Sequence, residues 1–204
     1  GERGPRPEDD PLGGPRERVR ATTAGSFDLA EVDPLNTVAI EVVGVPGARV
    51  LARTCGLSDE LFEHDGQITK REIRAITLSA LGPRRGELLW DVGAGAGSVA
   101  IEWMLADPSM RAIAIEARSD RAARIRRNAA ALGVPGLEIV EGRAPAAFDG
   151  LAPPDAVFIG GGATDALDAA VHTVRPGGRL VVNAVTLETE ALLVGLPLLP
   201  PVQI

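Results

Sequence analysis

Between residues 88 and 182 short apolar runs alternate with helical patterns, and this alternation constrains the fold more than any other feature of the chain. The apolar runs fall at 88–92, 111–115, 137–140, 155–159 and 179–182, and the helical patterns at about 98–106, 119–132 and 164–174. Glycine-bearing turns at Gly133, Gly136 and Gly177-Gly178 separate them. Strands that alternate with helices must run parallel, because each helix carries the chain back across a sheet face. The runs show no apolar–polar alternation, as expected of strands covered on both sides. The predicted fold is therefore α/β, a mostly parallel, doubly wound sheet of the Rossmann-like kind.

Ahead of this region the pattern changes. Residues 1 to about 26 are rich in Gly, Pro, Arg, Asp and Glu and read as a tail or linker. A strand is predicted over 37–43, stopped by Gly44 and Pro46. A helix follows over 69–81. Thr69 and Glu72 have capping-box spacing, Ile73, Ile76 and Leu81 recur at helical intervals, and Gly82-Pro83 ends it. The domain reading is 1–56 as the remnant of a preceding domain plus linker, and 57–204 as the α/β domain.

The 204 residues carry 45% hydrophobic and only 3% aromatic side chains, so the core has to be aliphatic. A net charge of -7, with no basic cluster interleaved with aromatics, argues against nucleic acid as a partner. Cys55 is the single cysteine and excludes an internal disulfide, which fits a reducing, cytoplasmic setting. His64 and His172 stand far apart without a second cysteine, so no metal-ligand spacing is present. No apolar run approaches the roughly 18 residues of a membrane span, and no partner in a membrane is expected.

The strand 88–92 runs into Gly93-Ala94-Gly95-Ala96-Gly97 and then a helix. Glycines at such a junction allow a tight bend and close approach of a ligand. A dinucleotide fingerprint requires glycine where Ser98 stands, so an NAD-dependent oxidoreductase does not fit. Asp91 lies just before the loop, awkward beside a pyrophosphate but suited to an amino acid's ammonium group, directly or through water. Glu116 ends the next strand about 25 residues later, where a ribose diol would lie. Two carboxylates around a glycine turn suit a cationic, ribose-bearing ligand without phosphate, S-adenosyl-L-methionine, with S-adenosyl-L-homocysteine as product. A structural turn and a different nucleoside remain as alternatives.

Further candidates follow from the rule that ligands of open α/β sheets bind beyond the strands' carboxyl ends. The strand 137–140 ends in Glu141-Gly142-Arg143-Ala144-Pro145, which places backbone amides near an adenine; Arg143 either covers that base or is a solvated loop residue. Gly160-Gly161-Gly162 after the fourth strand raises the entropy cost of folding and makes sense if a bulky substrate must come close. After the fifth strand, Asn183 and Glu188 are the candidates for a catalytic role, although Glu188 and Thr189 read equally well as the start of a helix.

These segments, together with Gly66-Gln67-Ile68-Thr69-Lys70-Arg71-Glu72, resemble the decarboxylating precorrin methyltransferases of cobalamin biosynthesis over about 57–193. Residues 12–18 through Ile40-Glu41 resemble the end of the tetrapyrrole methylase domain that precedes this one in fused members of the family. The resemblance implies methylation of a precorrin at C15 coupled to decarboxylation of the C12 acetate. It further implies an N-terminal methylase domain as partner, a homotetramer, and cofactor contacts at Gln67 or Thr69, 93–97, Glu116 and Ala144. Members often carry Asp where Arg143 stands, which puts an adenine contact by that side chain in question. The family's further antiparallel strands have only 198–204 as a counterpart, so those strands are expected to be incomplete.

Two rivals stand beside this reading. An RNA methyltransferase is disfavoured by the acidic charge and by Asp155-Ala156-Val157-Phe158-Ile159-Gly160, which lacks the Asn/Asp-Pro-Pro-aromatic loop used on base amino groups. A catalytically silent oligomerisation module would be free to lose Asp91, Gly93, Gly95, Gly97 and Glu116, all of which are present.

Overall fold

The computed structural model describes residues 17–30, 32, 36–44, 46–48, 50–160 and 164–195. The chain divides into two compact units, Gly1–Arg49 and Val50–Ile204. Among the described residues of the first unit the regular structure is one 3-10 turn, Ala24–Ser26. The strand predicted over 37–43 does not form: Val38 and Ile40 are 73% and 79% exposed, and the backbone is in no ladder. An extended segment gains stability only by pairing with neighbouring strands, and this one has no partner.

Among its described residues the second unit holds five α-helices and five strands. The strands are β1 (Leu88–Val92), β2 (Arg111–Glu116), β3 (Glu138–Glu141), β4 (Ala156–Ile159) and β5 (Arg179–Val182). The helices are α1 (Arg71–Leu81), α2 (Ser98–Leu105), α3 (Ser119–Ala131), α4 (Leu167–Thr173) and α5 (Leu187–Gly195). All strand pairs are parallel in the order β3-β2-β1-β4-β5, with Asp91 opposite Ala114 on one side and Phe158 on the other. The predicted strands and helices recur within a residue or two; α4 is preceded by a 3-10 turn, Thr164–Ala166. The last described segment contains α5, for which the sequence reading has only a helix start at Glu188 and Thr189. Residues 198–204 lie outside the described residues.

Side-chain alternation along each strand builds two cores. Leu89, Ala112, Ala114 and Phe158 face α1, α2 and α3, whereas Trp90, Val92, Ile113, Ile115 and Ile159 face Phe148 and α4. Order reverses between β1 and β4, since the chain proceeds outward from β1 to β3 and then returns to the other side. A sheet of this kind opens a crevice at that reversal, beyond the carboxyl ends of the strands.

Helix α1 departs from the sequence reading in two ways. Lys70, not Thr69, is the N-cap, and no side chain caps the helix; the Thr69 carbonyl instead accepts from the Arg74 guanidinium. The expected core face is also rotated. Ile73 and Ile76 are 49% and 66% exposed, while Arg74, Thr77, Leu78 and Leu81 are buried. These four residues also have helical spacing, so periodicity alone did not choose between the faces. The choice follows from Glu102 on α2, which takes the Arg74 Nε at 2.6 Å, and a charge buried with such a partner must stay with it.

Candidate functional site

The loop 93–97 lies at the carboxyl end of β1 beside the reversal point. Its Gly93 and Ala94 amides donate to the Ile115 carbonyl at 2.9 and 3.2 Å, and Gly97 donates to Ala94 at 2.7 Å. All three of its glycines have positive φ, Gly93 at 73°, and at two of them a Cβ would also meet a neighbour. Gly95 has φ 60° and a Cβ there would stand 3.4 Å from the Gln67 carbonyl; Gly97 has φ 75° and a Cβ there would meet Ile125 Cγ2 at 2.7 Å. L-residues adopt such φ values at a cost, and β-branched ones hardly at all. Gly97 therefore serves the packing of α3 against the loop, while Gly95 lies under the segment that carries Gln67.

Gly97 is the N-cap of α2 and has no side chain to hold the helix's first amides. Asp91 does this from the strand: its Oδ2 accepts from the Ala100 amide at 3.0 Å, a carboxylate at the positive end of the helix. The other oxygen, Oδ1, is buried and has no hydrogen-bond partner among the described residues. Burial pushes the Asp91 pKa up to about 7, against the pull of the Ala100 amide and with a further push from Glu116. A solitary acceptor in this position is short of one donor, and an ammonium group or a water would supply it. The donor set thus fits an amino acid's cationic end.

Glu116, at the end of β2, is 5% exposed. It accepts from the Gly95 amide at 2.9 Å and the Arg118 amide at 3.0 Å, so it ties the glycine loop to the start of α3. Each carboxylate oxygen keeps a second lone pair, which leaves acceptor capacity for a diol. On the neighbouring strand Gly142 donates to the Glu116 carbonyl at 3.0 Å. Beyond it Arg143 is exposed, its carbonyl accepting from Ala147 at 3.0 Å, and Ala144 is half-buried.

Across the reversal point Gly160 follows β4, donating to the Val92 carbonyl at 2.9 Å. A Cβ at Gly160 would stand 3.1 Å from the Gly93 carbonyl, which shows how closely the two loops approach. Gly161 and Gly162 lie outside the described residues. Asn183, at the end of β5, donates its amide N–H to the Ile159 carbonyl at 3.1 Å and its side-chain Nδ2 to Thr77 at 3.1 Å. Glu188 is exposed in the first turn of α5, where Thr186 accepts from the Thr189 amide at 3.2 Å. Its own backbone amide and the Thr186 hydroxyl hold the Glu188 carboxyl below its usual range. The helix-start alternative therefore describes where Glu188 stands.

Gln67 is exposed and its amide donates to Asp65 at 3.2 Å, while Thr69 is half-buried. What holds this segment was missed in the sequence. Arg74 is wholly buried beneath the Phe62 ring (4.8 Å) and bonds Glu102, Asp59, and the carbonyls of Leu57 and Thr69. Glu102 also accepts from the Gly56 and Leu57 amides at 2.7 and 3.0 Å. A signal existed: Glu102 is the single acid in the otherwise apolar Ser98–Leu105 helix, and such a charge needs a buried partner. Among the described residues no group of His, Cys, Asp and Glu is arranged to hold a metal, and no helix is long and apolar enough to cross a membrane.

A parallel sheet with a glycine loop at its reversal point and acids on β1 and β2 defines the Rossmann-like methyltransferase fold, and solved structures of that class superpose on this chain. One is the C-terminal domain of precorrin-6Y C5,15-methyltransferase from Rhodobacter capsulatus, 51% identical with a TM-score of 0.66 over 71% of this chain and 78% of that one. Residues 60–197 match the family described as precorrin methyltransferase domain, and the chain belongs to that family. A precorrin-6Y C(5,15)-methyltransferase [decarboxylating] from Sinorhizobium sp is 60% identical over 184 residues, 89% of this chain and 45% of the relative. The chain thus spans about half the length of that relative. A probable cobalt-precorrin-6B C(15)-methyltransferase (decarboxylating) from Saccharolobus solfataricus is 37% identical over 142 residues, 66% of this chain and 71% of the relative.

Proposed function

We propose that this chain binds S-adenosyl-L-methionine at the 93–97 loop and methylates a precorrin at C15, with decarboxylation of the C12 acetate. The observation that carries the cofactor reading is the unpartnered, buried Oδ1 of Asp91 beside the glycine loop. The acceptor reading is supported by the shorter Saccharolobus relative, whose name carries only the C15 activity and of which this chain covers 71%. Methylation at C5 then belongs to a preceding tetrapyrrole methylase domain, for which residues 1–56 are the end and linker.

Bound S-adenosyl-L-methionine supplies an electrophilic methyl group with its own leaving group. The chain's part is to align donor and acceptor carbons and exclude water. Asp91 and Glu116 hold the cationic and ribose ends, Ala144 and Arg143 lie on the adenine side, and Gln67 and Thr69 stand over the loop. We assign the glycines Gly160, Gly161 and Gly162 to the acceptor's side of the site. A meso carbon of a conjugated tetrapyrrole is electron-rich without a strong base, and the same conjugation accepts the electrons left by loss of CO₂. Asn183 is the side chain we assign to orienting the acceptor, with Glu188 next. The assembly is proposed to be a cytoplasmic homotetramer, which light scattering would test.

Calorimetric titration with S-adenosyl-L-methionine and S-adenosyl-L-homocysteine decides the first half of this proposal. Saturable heat at micromolar ligand is expected; silence at millimolar ligand would leave a scaffold module. Incubation with precorrin-6Y-type substrates, followed by mass spectrometry, decides the second half. The expected change is gain of one methyl and loss of CO₂, and gain of methyl alone would separate the two activities.

A further inference from the structure

Segment 56–69 crosses the loop that we assign to the cofactor, and its attachment is unusual for a surface connection. One end is held by the Arg74–Glu102 pair. Its middle is held by α3, where Arg127 pairs with the exposed Glu63 carboxylate at 2.8 Å and Asn128, only 2% exposed, takes the Glu63 backbone. Asn128 Oδ1 accepts from the Glu63 amide at 2.8 Å, and its Nδ2 donates to the Glu63 carbonyl at 3.0 Å and to the Ala96 carbonyl at 2.9 Å. A single amide thereby pairs with both backbone groups of Glu63, as a β-strand neighbour would, and spends its remaining N–H on the glycine loop. Further along, Asp65 meets Arg121 and Arg124 of α3 at 3.0 and 3.3 Å. Gln67 then reaches Gly95, where a Cβ would stand 3.4 Å from the Gln67 carbonyl.

We infer that Asn128 is a positioning residue for the cofactor site: it locks segment 56–69 to the glycine loop, so that the site is formed before any ligand arrives. This rests on the reading of 93–97 as the cofactor loop. The chemistry of the lock is specific. Asp at this position keeps size and the acceptor for the Glu63 amide, but faces two carbonyl oxygens with an acceptor in place of a donor. Preorganisation is what such a lock contributes, because a loop ordered only on binding subtracts its ordering cost from affinity.

The test compares the whole chain with Asn128→Asp, Asn128→Ala and Leu132→Ala. Leu132 is buried in the core at the C-cap of the same helix and its side chain has no hydrogen-bonding group, so its truncation gives a loss of Tm without removing a bond of the lock. Calorimetry with S-adenosyl-L-homocysteine should show both Asn128 variants weakened by at least about tenfold, and Leu132→Ala within about twofold of the unaltered chain. Asn128 variants that bind no worse than Leu132→Ala would overturn the inference and leave the cofactor reading standing. An unaltered chain that binds nothing would overturn both. Hydrogen exchange on the unaltered chain covers the case in which the Asn128 variants do not fold. Without ligand, the Glu63 amide and its neighbours in 61–69 should already exchange slowly, and fast exchange there that only S-adenosyl-L-homocysteine slows would overturn the lock.

Discussion

The two halves of the sheet's carboxyl edge are built in contrasting ways. On the β1–β2–β3 side the described polar groups are tightly used: Glu116 holds Gly95 and Arg118, Asn128 holds Ala96 and Glu63, and Asp91 caps α2. On the β4–β5 side Gly160 and all of β5 are only half-buried, Val185 and Leu187 are exposed, and Asn183 has Thr77 as its side-chain partner. A rigid, satisfied half suits a ligand of constant shape, and an open half suits a large acceptor that must enter and leave. The described residues thus use their polar groups unequally on the two sides of one reversal point.

The comparison can be broken most severely at Arg74. Arg74→Ala strands Glu102 in the core and is expected to cost about 3–5 kcal/mol in urea unfolding, with segment 56–69 released. A variant as stable as the unaltered chain would mean that the tight half does not depend on this pair. Next in size, Gly95→Val forces a β-branched residue to φ 60° beneath Gln67 and should remove S-adenosyl-L-homocysteine binding by about a hundredfold or more, with circular dichroism unchanged. Unchanged affinity would move the site elsewhere.

A pH titration sharpens the role of Asp91. Its folded pKa, about 7, lies above the ordinary carboxyl value of 3.8, so the folded, ligand-free chain holds a proton that the unfolded chain has lost. Stability from this group is therefore full below 3.8 and declines as pH rises to about 7. A cationic ligand needs the ionised form, so affinity should rise by roughly tenfold between pH 6 and 8. Asp91→Asn should bind weakly and without that slope; a slope that persisted in the variant would assign it to another group. The smallest effect on cofactor binding belongs to the open half. Thr77→Val removes both hydrogen bonds to Asn183, at about 1 kcal/mol each, and should leave cofactor affinity unchanged while lowering turnover of the precorrin. Loss of cofactor affinity instead would show that the two halves are not independent.

Much of the framework was legible because it depends on local pattern. Strand positions, parallel pairing and the loop 93–97 follow from apolar runs, helical intervals and glycines, all of which act over a few residues. Asp91 and Glu116 were legible from their places relative to the loop. The face of α1 was misread, since Ile73 and Ile76 are more apolar than Arg74 and Thr77, yet the latter pair is buried. The segment 37–43 was read as a strand because its pattern is that of one, but pattern supplies no ladder partner. Glu188 satisfied two descriptions, and the start of α5 is the one the backbone adopts.

What the sequence alone determined is the framework around the glycine loop: where the chain turns, which strands are covered on both sides, and that two acids flank the turn. What only the tertiary structure decided is the work of those acids and the attachment of the segment above them. Asp91 caps a helix with one oxygen and leaves the other unpartnered; Glu116 binds amides of its own loop. Arg74 and Asn128 reach across 28 and 32 residues to Glu102 and Ala96. Local spacing cannot specify such pairs, because their stability comes from burial, and burial is settled only when distant segments have packed.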